Sequence, residues 1–112
     1  MRYTNNLPPI EPISNAEWVT IAANEFELRF SNRMLLRLHI PASKKSTPSV
    51  RIVAHTKTSY GTVRYDAPID LQLPNDRDIN TAKENALKTA ISFFAEMSKN
   101  AKLIRDALKT QL

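Results

Sequence analysis

The C-terminal third of the chain carries an apolar repeat that only a helix can arrange on one side. Between residues 87 and 108, apolar side chains recur at alternating intervals of three and four, the spacing of one stripe along an α-helix. The stripe consists of Leu87, Ala90, Phe94, Met97, Ala101, Ile104 and Leu108. A second apolar line beside it consists of Ala86, Phe93, Leu103 and Ala107. So wide a stripe must be covered by another surface, and we expect the rest of the fold to supply that surface.

The spacing predicts helical structure over residues 79–112. Near its start, Thr81-x-x-Glu84 has the form of a capping box. Residues 98–100 are its weakest part, so the segment is either one long helix or two helices that break near 98–100. The heptad spacing passes through this stretch without a slip, which favours one helix.

Before the helix, apolar and polar residues alternate at period two, which is typical of half-buried β-strands. The alternating apolar positions include Trp18, Val19, Ile21, Phe26, Leu28, Phe30, Met34, Leu36, Leu38, Ile40, Val50, Ile52, Val63, Tyr65, Ile69 and Leu71. Pro68 interrupts the last run and predicts a bulge or an edge strand there. Short connections predict an antiparallel meander. The predicted fold class is α+β: a four- to five-stranded antiparallel meander sheet, covered on one face by the C-terminal helix.

Composition predicts one domain with an N-terminal extension. Residues 1–16 are rich in proline and predict an extended arm, whereas residues 17–112 form a single α+β domain. The segment from Pro9 to Pro12 matches a P-x-x-P ligand, but we favour an arm that lies along the domain or has no fixed structure. The chain has no cysteine, no signal-peptide pattern and no apolar run that would span a membrane, so we expect a cytoplasmic protein.

The positive charge of the chain is concentrated in one segment. The net charge is +5, and between residues 28 and 65 there are eight Lys or Arg residues and no acidic residue. The remainder holds eight basic and eleven acidic residues, so the segment carries +8 and the rest −3. A segment of this kind attracts polyanions or acidic protein surfaces.

Strand alternation places most of these cations on the sheet face away from the helix. The residues we predict to bind nucleic acid are Arg29, Arg37, His39, Lys44, Lys45, Arg51, His55, Lys57, Tyr60 and Arg64. The acidic members of the same face, which we expect toward the ends of the strand region, are Glu25, Glu27, Asp66 and Asp70. Phosphates would pair with Arg and Lys, while Tyr60, with Trp18 as a further candidate, would stack on unpaired bases and favour a single strand.

The order of several strands followed by a helix resembles the Whirly class of single-strand binders. The resemblance concerns element order alone, and it implies no role for any residue of this chain. The function we predict is a small non-enzymatic nucleic-acid-binding protein. The alternative is an adaptor or inhibitor that docks its basic face on an acidic protein partner.

The helix is long relative to the sheet that would cover it. A 31-residue helix is roughly 46 Å long, whereas five strands span only about 20 Å. The overhanging part either bends back or packs on another subunit, and we expect a homodimer. The predicted dimer or partner interface consists of Phe94, Met97, Ala101, Ile104 and Leu108.

No constellation in the sequence carries a reaction. His39 and His55 with nearby cations would suit acid–base cleavage of RNA, but nothing in the sequence orients either ring. Asp76 and Asp78 are better explained as loop and helix-capping residues than as metal ligands. The single glycine, Gly61, is too few for a glycine-rich phosphate loop. We therefore expect no catalytic residue, no metal site and no cofactor.

Overall fold

A computed structural model of the chain describes residues 9–57, 63–65 and 69–112, with the backbone alone for 55–57 and 63–65. The strands are β1 (Val19–Ala22), β2 (Glu25–Arg29), β3 (Met34–His39), β4 (Ser49–Lys57), β5 (Val63–Tyr65) and β6 (Ile69–Gln72), and the helices are α1 (Ile79–Lys99) and α2 (Ala101–Lys109). The predicted α+β class and antiparallel meander are confirmed.

The sheet has five positions across its width because two strands share the last one. Strands β1 to β4 pair in sequence order, and β5 and β6 both pair with β4. Ile52 stands opposite Ile69 in the β4–β6 register, whereas His55 stands opposite Tyr65 in the β4–β5 register. The two registers are therefore offset by one residue. Pro68, where we predicted a bulge or an edge strand, lies outside the described residues. The offset changes which residues of β5 share a face with β4.

The core lies between one face of the sheet and α1. The sheet contributes Phe26, Leu28, Leu36, Leu38, Ile40, Val50, Ile52 and Leu73. The helix contributes Ala82, Ala86 and Ala90, which recur every four residues and so lie on one side of α1. Because alanine is small, α1 approaches the central strands β3 and β4 closely. Aromatic rings close one end of this layer, where the Phe30 and Phe94 centroids are 6.3 Å apart.

Helix α1 begins one turn earlier than the capping-box pattern predicts. Asp78 is the N-cap residue, and its Oδ2 accepts hydrogen bonds from the backbone N–H and the hydroxyl of Thr81, both at 3.0 Å. Thr81 is thus a donor to the cap, so the predicted Thr81-x-x-Glu84 box is wrong. The hydrogen bond from the Thr81 N–H holds the pKa of Asp78 below its ordinary value. Asp76 Oδ1 accepts from the Asp78 N–H at 3.0 Å, so both aspartates have the loop and capping roles we expected.

The helical segment breaks at Asn100, so the two-helix alternative is the correct one. Asn100 has φ −99° and ψ 9°, outside the helical range. Its side-chain amide donates to the Glu96 carbonyl at 3.0 Å, which competes with the regular helical pattern. The backbone hydrogen bonds from Asn100 to Glu96 and from Ile104 to Asn100 are nevertheless kept. The break is therefore confined to Asn100, and the three–four spacing of the apolar residues is the same on either side of it.

The N-terminal segment from residue 9 is tied to the turn after β2. The Asn32 side chain accepts from the Glu11 N–H at 2.9 Å and donates to the Pro9 carbonyl at 3.1 Å. Backbone hydrogen bonds join Ile13 to Phe30 and Asn32 to Glu11. Residues 9–13 therefore lie along the domain, as in the first of the two arrangements we favoured for the arm.

The molecule is longer than a compact chain of its length. Its radius of gyration is 16.3 Å, against about 13 Å for a compact domain of the same size. The last described helix, α2, has no buried residue. Neither α1 nor α2, the helices of the described residues, has the length and apolar character of a membrane span.

Candidate nucleic-acid interface

The sheet face opposite α1, called the open face below, carries a transverse row of charged residues. Strand register places Glu27 opposite Arg37, Arg37 opposite Arg51, and Arg51 opposite Asp70. Paired residues of antiparallel strands point to the same side of the sheet, so these four side chains form one line across four strands. The order of charges along the line is negative, positive, positive, negative.

Two like charges meet at the centre of this row. Arg37 and Arg51 are direct cross-strand partners, an arrangement that disfavours the sheet by electrostatic repulsion. They line a shallow concavity of about 310 Å³ together with residues from four strands. The full lining is Ile21, Glu25, Arg37, Leu38, His39, Ser49 and Arg51. An anion bound in this concavity would relieve the repulsion between the two guanidinium groups.

Arg37 and Arg51 each pair with a carboxylate on the strand that lies away from the other arginine. Asp70 accepts hydrogen bonds from Arg51 Nε at 2.7 Å and Nη2 at 3.4 Å. Glu27 accepts from Arg37 Nε at 3.3 Å and lies 3.6 Å from Arg29 Nη2. The hydrogen bond with Asp70, followed by its charge, raises the pKa of Arg51 above the ordinary value. Both partners of the Arg51–Asp70 pair are about half exposed, so water screens their attraction.

The open face is consequently less basic than the sequence predicts. Among the positions of this face whose side chains the structure describes, Arg29, Arg37 and Arg51 are balanced by Glu25, Glu27 and Asp70. The acidic residues do not lie apart at the ends, because strand pairing brings positions distant in sequence into one row. His39 also lies beside a carboxylate, because its Nδ1 is 3.5 Å from Glu25 Oε1.

The other predicted binding residues fall into three groups. Lys44 and Lys45 lie in the exposed loop between β3 and β4, which Arg77 Nη1 fixes by hydrogen bonds to the carbonyls of Ser43 and Ser46. The backbone positions of His55 and Lys57 continue the alternation set of Arg51 along β4. Tyr60 lies outside the described residues.

Arg64 does not share the alternation set of Arg51, as we predicted it would. It stands opposite Thr56 in the register, and Thr56 belongs to the alternation set of Ile52 rather than that of Arg51. The prediction that Arg64 and Arg51 share a face is therefore wrong at the level of strand register. The cause is the one-residue offset between β5 and β6, which exchanges the two faces of β5.

One part of the open face is buried, which the alternation pattern did not indicate. Leu35 and Val53 are cross-strand partners on this face and are 0% and 3% exposed. Period-two alternation along β3 groups Leu35 with Arg37 and His39, the set expected to face solvent. The sequence does contain a signal for this burial. Leu35 and Leu36 are consecutive apolar residues, as are Ile52 and Val53, and such runs are typical of strands that are covered on both faces. The accessible part of the face is thus the region around Arg37, Arg51 and His39.

The predicted helical interface lies far along α1 and on α2. Phe94, Met97, Ala101, Ile104 and Leu108 are all exposed. Phe94 also contacts Phe30, so the stripe begins at the rim of the sheet and continues beyond it. No described residue of the chain buries the part of the stripe on α2.

The two histidine positions lie far apart, and the described residues hold no cluster of metal-ligand type. Among them, no three histidine, aspartate or glutamate side chains cluster as metal ligands. His39 stands opposite Ser49 on β4, and His55 is six positions farther along that strand, about 20 Å away at the rise of a β-strand.

Comparisons of the chain with protein-family models, with curated proteins and with solved structures find no match. The interpretation of the site therefore depends on its own residues.

Proposed function

We propose that this chain is a small non-enzymatic protein that binds nucleic acid through the phosphate backbone at the open face. The observation that carries the proposal is the Arg37–Arg51 pair, in which two like charges face each other in a concavity. Such a pair disfavours the folded sheet, and a bound anion offsets that penalty. The proposal includes a cytoplasmic location, with which the absence of cysteine is compatible.

The hydrogen-bonding capacity of Arg51 supports a phosphate ligand. Asp70 engages Nε and Nη2 of Arg51, and Nη1 is the remaining nitrogen. A guanidinium has five N–H donors in a fixed fork, which suits simultaneous contact with a carboxylate and a phosphate oxygen. The exposed Lys44 and Lys45 add two point charges on the adjacent loop.

The proposed binding is electrostatic and insensitive to sequence. Strands β2, β3, β4 and β6 place no aromatic residue on the open face, and only the register of β5 brings one, Tyr65, opposite His55, so base stacking is not the main contribution around Arg37 and Arg51. Four phosphate contacts, from Arg37, Arg51, Lys44 and Lys45, predict a slope of log K against log salt of roughly −3 for single strands. Binding to a single strand is slightly favoured, because a flexible backbone adapts to a shallow surface.

The test is fluorescence anisotropy with labelled single-stranded DNA, duplex DNA and RNA at several salt concentrations. We expect the double variant Arg37→Gln/Arg51→Gln to weaken binding at least tenfold and to flatten the salt slope by between one and two. The matched control, Lys99→Gln/Lys109→Gln, removes the same charge from α1 and α2 and should change affinity less than twofold. Equal effects of the two double variants would contradict the proposal, because the binding would then follow net charge alone.

The balanced row of charges supports a second candidate, docking on a protein surface. A partner with complementary charges would engage Glu27 and Asp70 as well as the two arginines, as protein interfaces commonly do. This candidate predicts that all three nucleic acids bind weakly and equally and dissociate at near-physiological salt. It also predicts capture of one defined protein that is lost both in Arg37→Gln/Arg51→Gln and in Glu27→Gln/Asp70→Asn.

A further inference from the structure

The C-terminal part of the helical segment presents an apolar surface that its own domain leaves open. We define the helical arm as residues 91–109, from the second half of α1 through α2. Met97, Ile104 and Leu108 of the arm are between 38% and 66% exposed. The polar side of the same helices carries Lys99, Lys102, Asp106 and Lys109. An amphipathic helix of this kind is stable when a second surface covers its apolar side.

We propose that a second copy of this chain covers the helical arm, with the two arms antiparallel around a two-fold axis near residue 99. The proposal is independent of the function proposed above, because it concerns the helices and leaves the open face of each copy accessible. The side-chain sizes and the charges of the arm itself favour a second copy of this chain as the covering surface.

The sizes of the stripe residues are self-complementary in the antiparallel arrangement. With the axis near residue 99, Phe94 faces Ile104 of the second copy, and Met97 faces Ala101 of the second copy. Small and large residues then interdigitate at the centre, where Ala101 permits close approach of the two helices. At the ends, Leu108 lies opposite position 90 of the second copy and beside the adjacent Ile91, and Leu108 and Ile91 are both 66% exposed in the single chain.

Charge favours the antiparallel over the parallel arrangement. Residues 84–96 contain Glu84, Lys88 and Glu96, a net charge of −1, whereas residues 97–109 contain Lys99, Lys102, Arg105, Lys109 and Asp106, a net charge of +3. Antiparallel arms place the negative region of one copy beside the positive region of the other. Parallel arms would place the two +3 regions side by side, where they repel each other.

The stripe is also continuous with the core of its own domain. Ala82, Ala86 and Ala90 are buried under the sheet, and Phe94 contacts Phe30 at the sheet rim. An arm of the second copy would therefore extend the hydrophobic core rather than form an isolated coiled coil. The positions that flank the stripe toward the partner carry no charge except Arg105, so nothing in the seam opposes association.

The experiment uses the natural absence of cysteine, which makes each engineered thiol unique. The variants Ile91→Cys and Leu108→Cys are mixed, treated with a short bismaleimide and analysed by intact mass spectrometry. Antiparallel arms predict a cross-link between the two different variants. Two copies of the same variant would carry their thiols about 26 Å apart in that arrangement, so same-variant products are not expected. Predominantly same-variant products would overturn the antiparallel arrangement, and no cross-linked product would overturn the dimer.

Sedimentation velocity tests the dimer without cross-linking. We expect the full chain to be dimeric at micromolar concentration and Ile104→Asp/Leu108→Asp to raise the dissociation constant at least a hundredfold. The matched control, Ser92→Asp/Lys99→Asp, changes the side of the helices opposite the stripe and should remain dimeric. A monomeric wild type, or equal dissociation of both double variants with unchanged helical circular dichroism, would overturn the proposal.

Nucleic-acid binding at the open face and dimerisation through the helical arms depend on different residues. The Arg37→Gln/Arg51→Gln variant should lose nucleic-acid binding and remain a dimer. The Ile104→Asp/Leu108→Asp variant should be a monomer whose open face is unchanged. Loss of dimerisation in the first variant would contradict the inference that the helical arms alone form the interface.

Discussion

Arg37 and Arg51 lie directly opposite each other on adjacent strands, and each is held from its outer side by a carboxylate. The carboxylates moderate the repulsion between the two guanidinium groups, but they also occupy donors that a phosphate would use. An anionic ligand therefore competes with Glu27 and Asp70 for the same arginines. Because of this competition, substitutions of the carboxylates test the site as directly as substitutions of the arginines do.

Removing the negative charge of Asp70 should strengthen nucleic-acid binding. In Asp70→Asn, Arg51 loses its bidentate partner and can direct Nε and Nη2 toward a phosphate. We expect a three- to tenfold gain in affinity at moderate salt, measured by fluorescence anisotropy. Stability should change by less than about 1 kcal/mol because the ion pair is exposed. A decrease in affinity would indicate that Asp70 itself contacts the ligand, as expected for a protein partner with complementary charges.

The cap of α1 should make stability depend on pH at the acidic end. The folded-state pKa of Asp78 is lowered by the hydrogen bond from the Thr81 N–H. Its stabilising effect is therefore complete above the unfolded-state pKa, near 3.8, and is lost as the pH falls through the lower folded-state pKa. The thermal unfolding midpoint of the wild type should be higher than that of Asp78→Ala at neutral pH. The difference between the two midpoints should shrink below about pH 4. A difference that stays constant to pH 2 would contradict a charged cap.

The features that could be predicted from the sequence are those that depend on local periodicity. The stripe from Leu87 to Leu108 indicated the helix, and the period-two pattern indicated an antiparallel sheet. The pairing of Arg51 with Asp70 could not be predicted, because it depends on strand register, which is set by contacts between residues far apart in sequence. Arg64 illustrates the same limit, since an offset of one residue exchanges the faces of a strand.

Burial was also only partly predictable. Leu35 is completely buried on the face that alternation assigns to solvent. Alternation describes a strand with one covered face, and it does not indicate where a second surface covers the other. Ala86 and Ala90 belong to the predicted apolar pattern and Ala82 does not, and the close approach of all three to β3 and β4 follows only from the packed structure.

Enlarging Ala86 should destabilise the domain. Ala86 is 0% exposed between α1 and the sheet, so Ala86→Leu would push the helix away or force strained rotamers, at a cost of about 1–3 kcal/mol. Urea denaturation measures this change. The matched control is Ala95→Leu, an exposed site on the same helix where the larger side chain should be tolerated. Equal stability of Ala86→Leu and wild type would indicate that the helix–sheet contact is loose.

Replacing Asn100 with alanine should convert α1 and α2 into one continuous helix. The Asn100 amide donates to the Glu96 carbonyl, and removing it leaves that carbonyl to the backbone N–H alone. Alanine also has the higher helix propensity, by about 0.6 kcal/mol. Far-ultraviolet circular dichroism should show a small gain in helical signal and thermal unfolding a modest rise in midpoint. Because the axis proposed for the antiparallel dimer lies near residue 99, a changed dimer dissociation constant would show that the break shapes the interface. An unchanged constant with increased helicity would place the break outside the contact and contradict that axis.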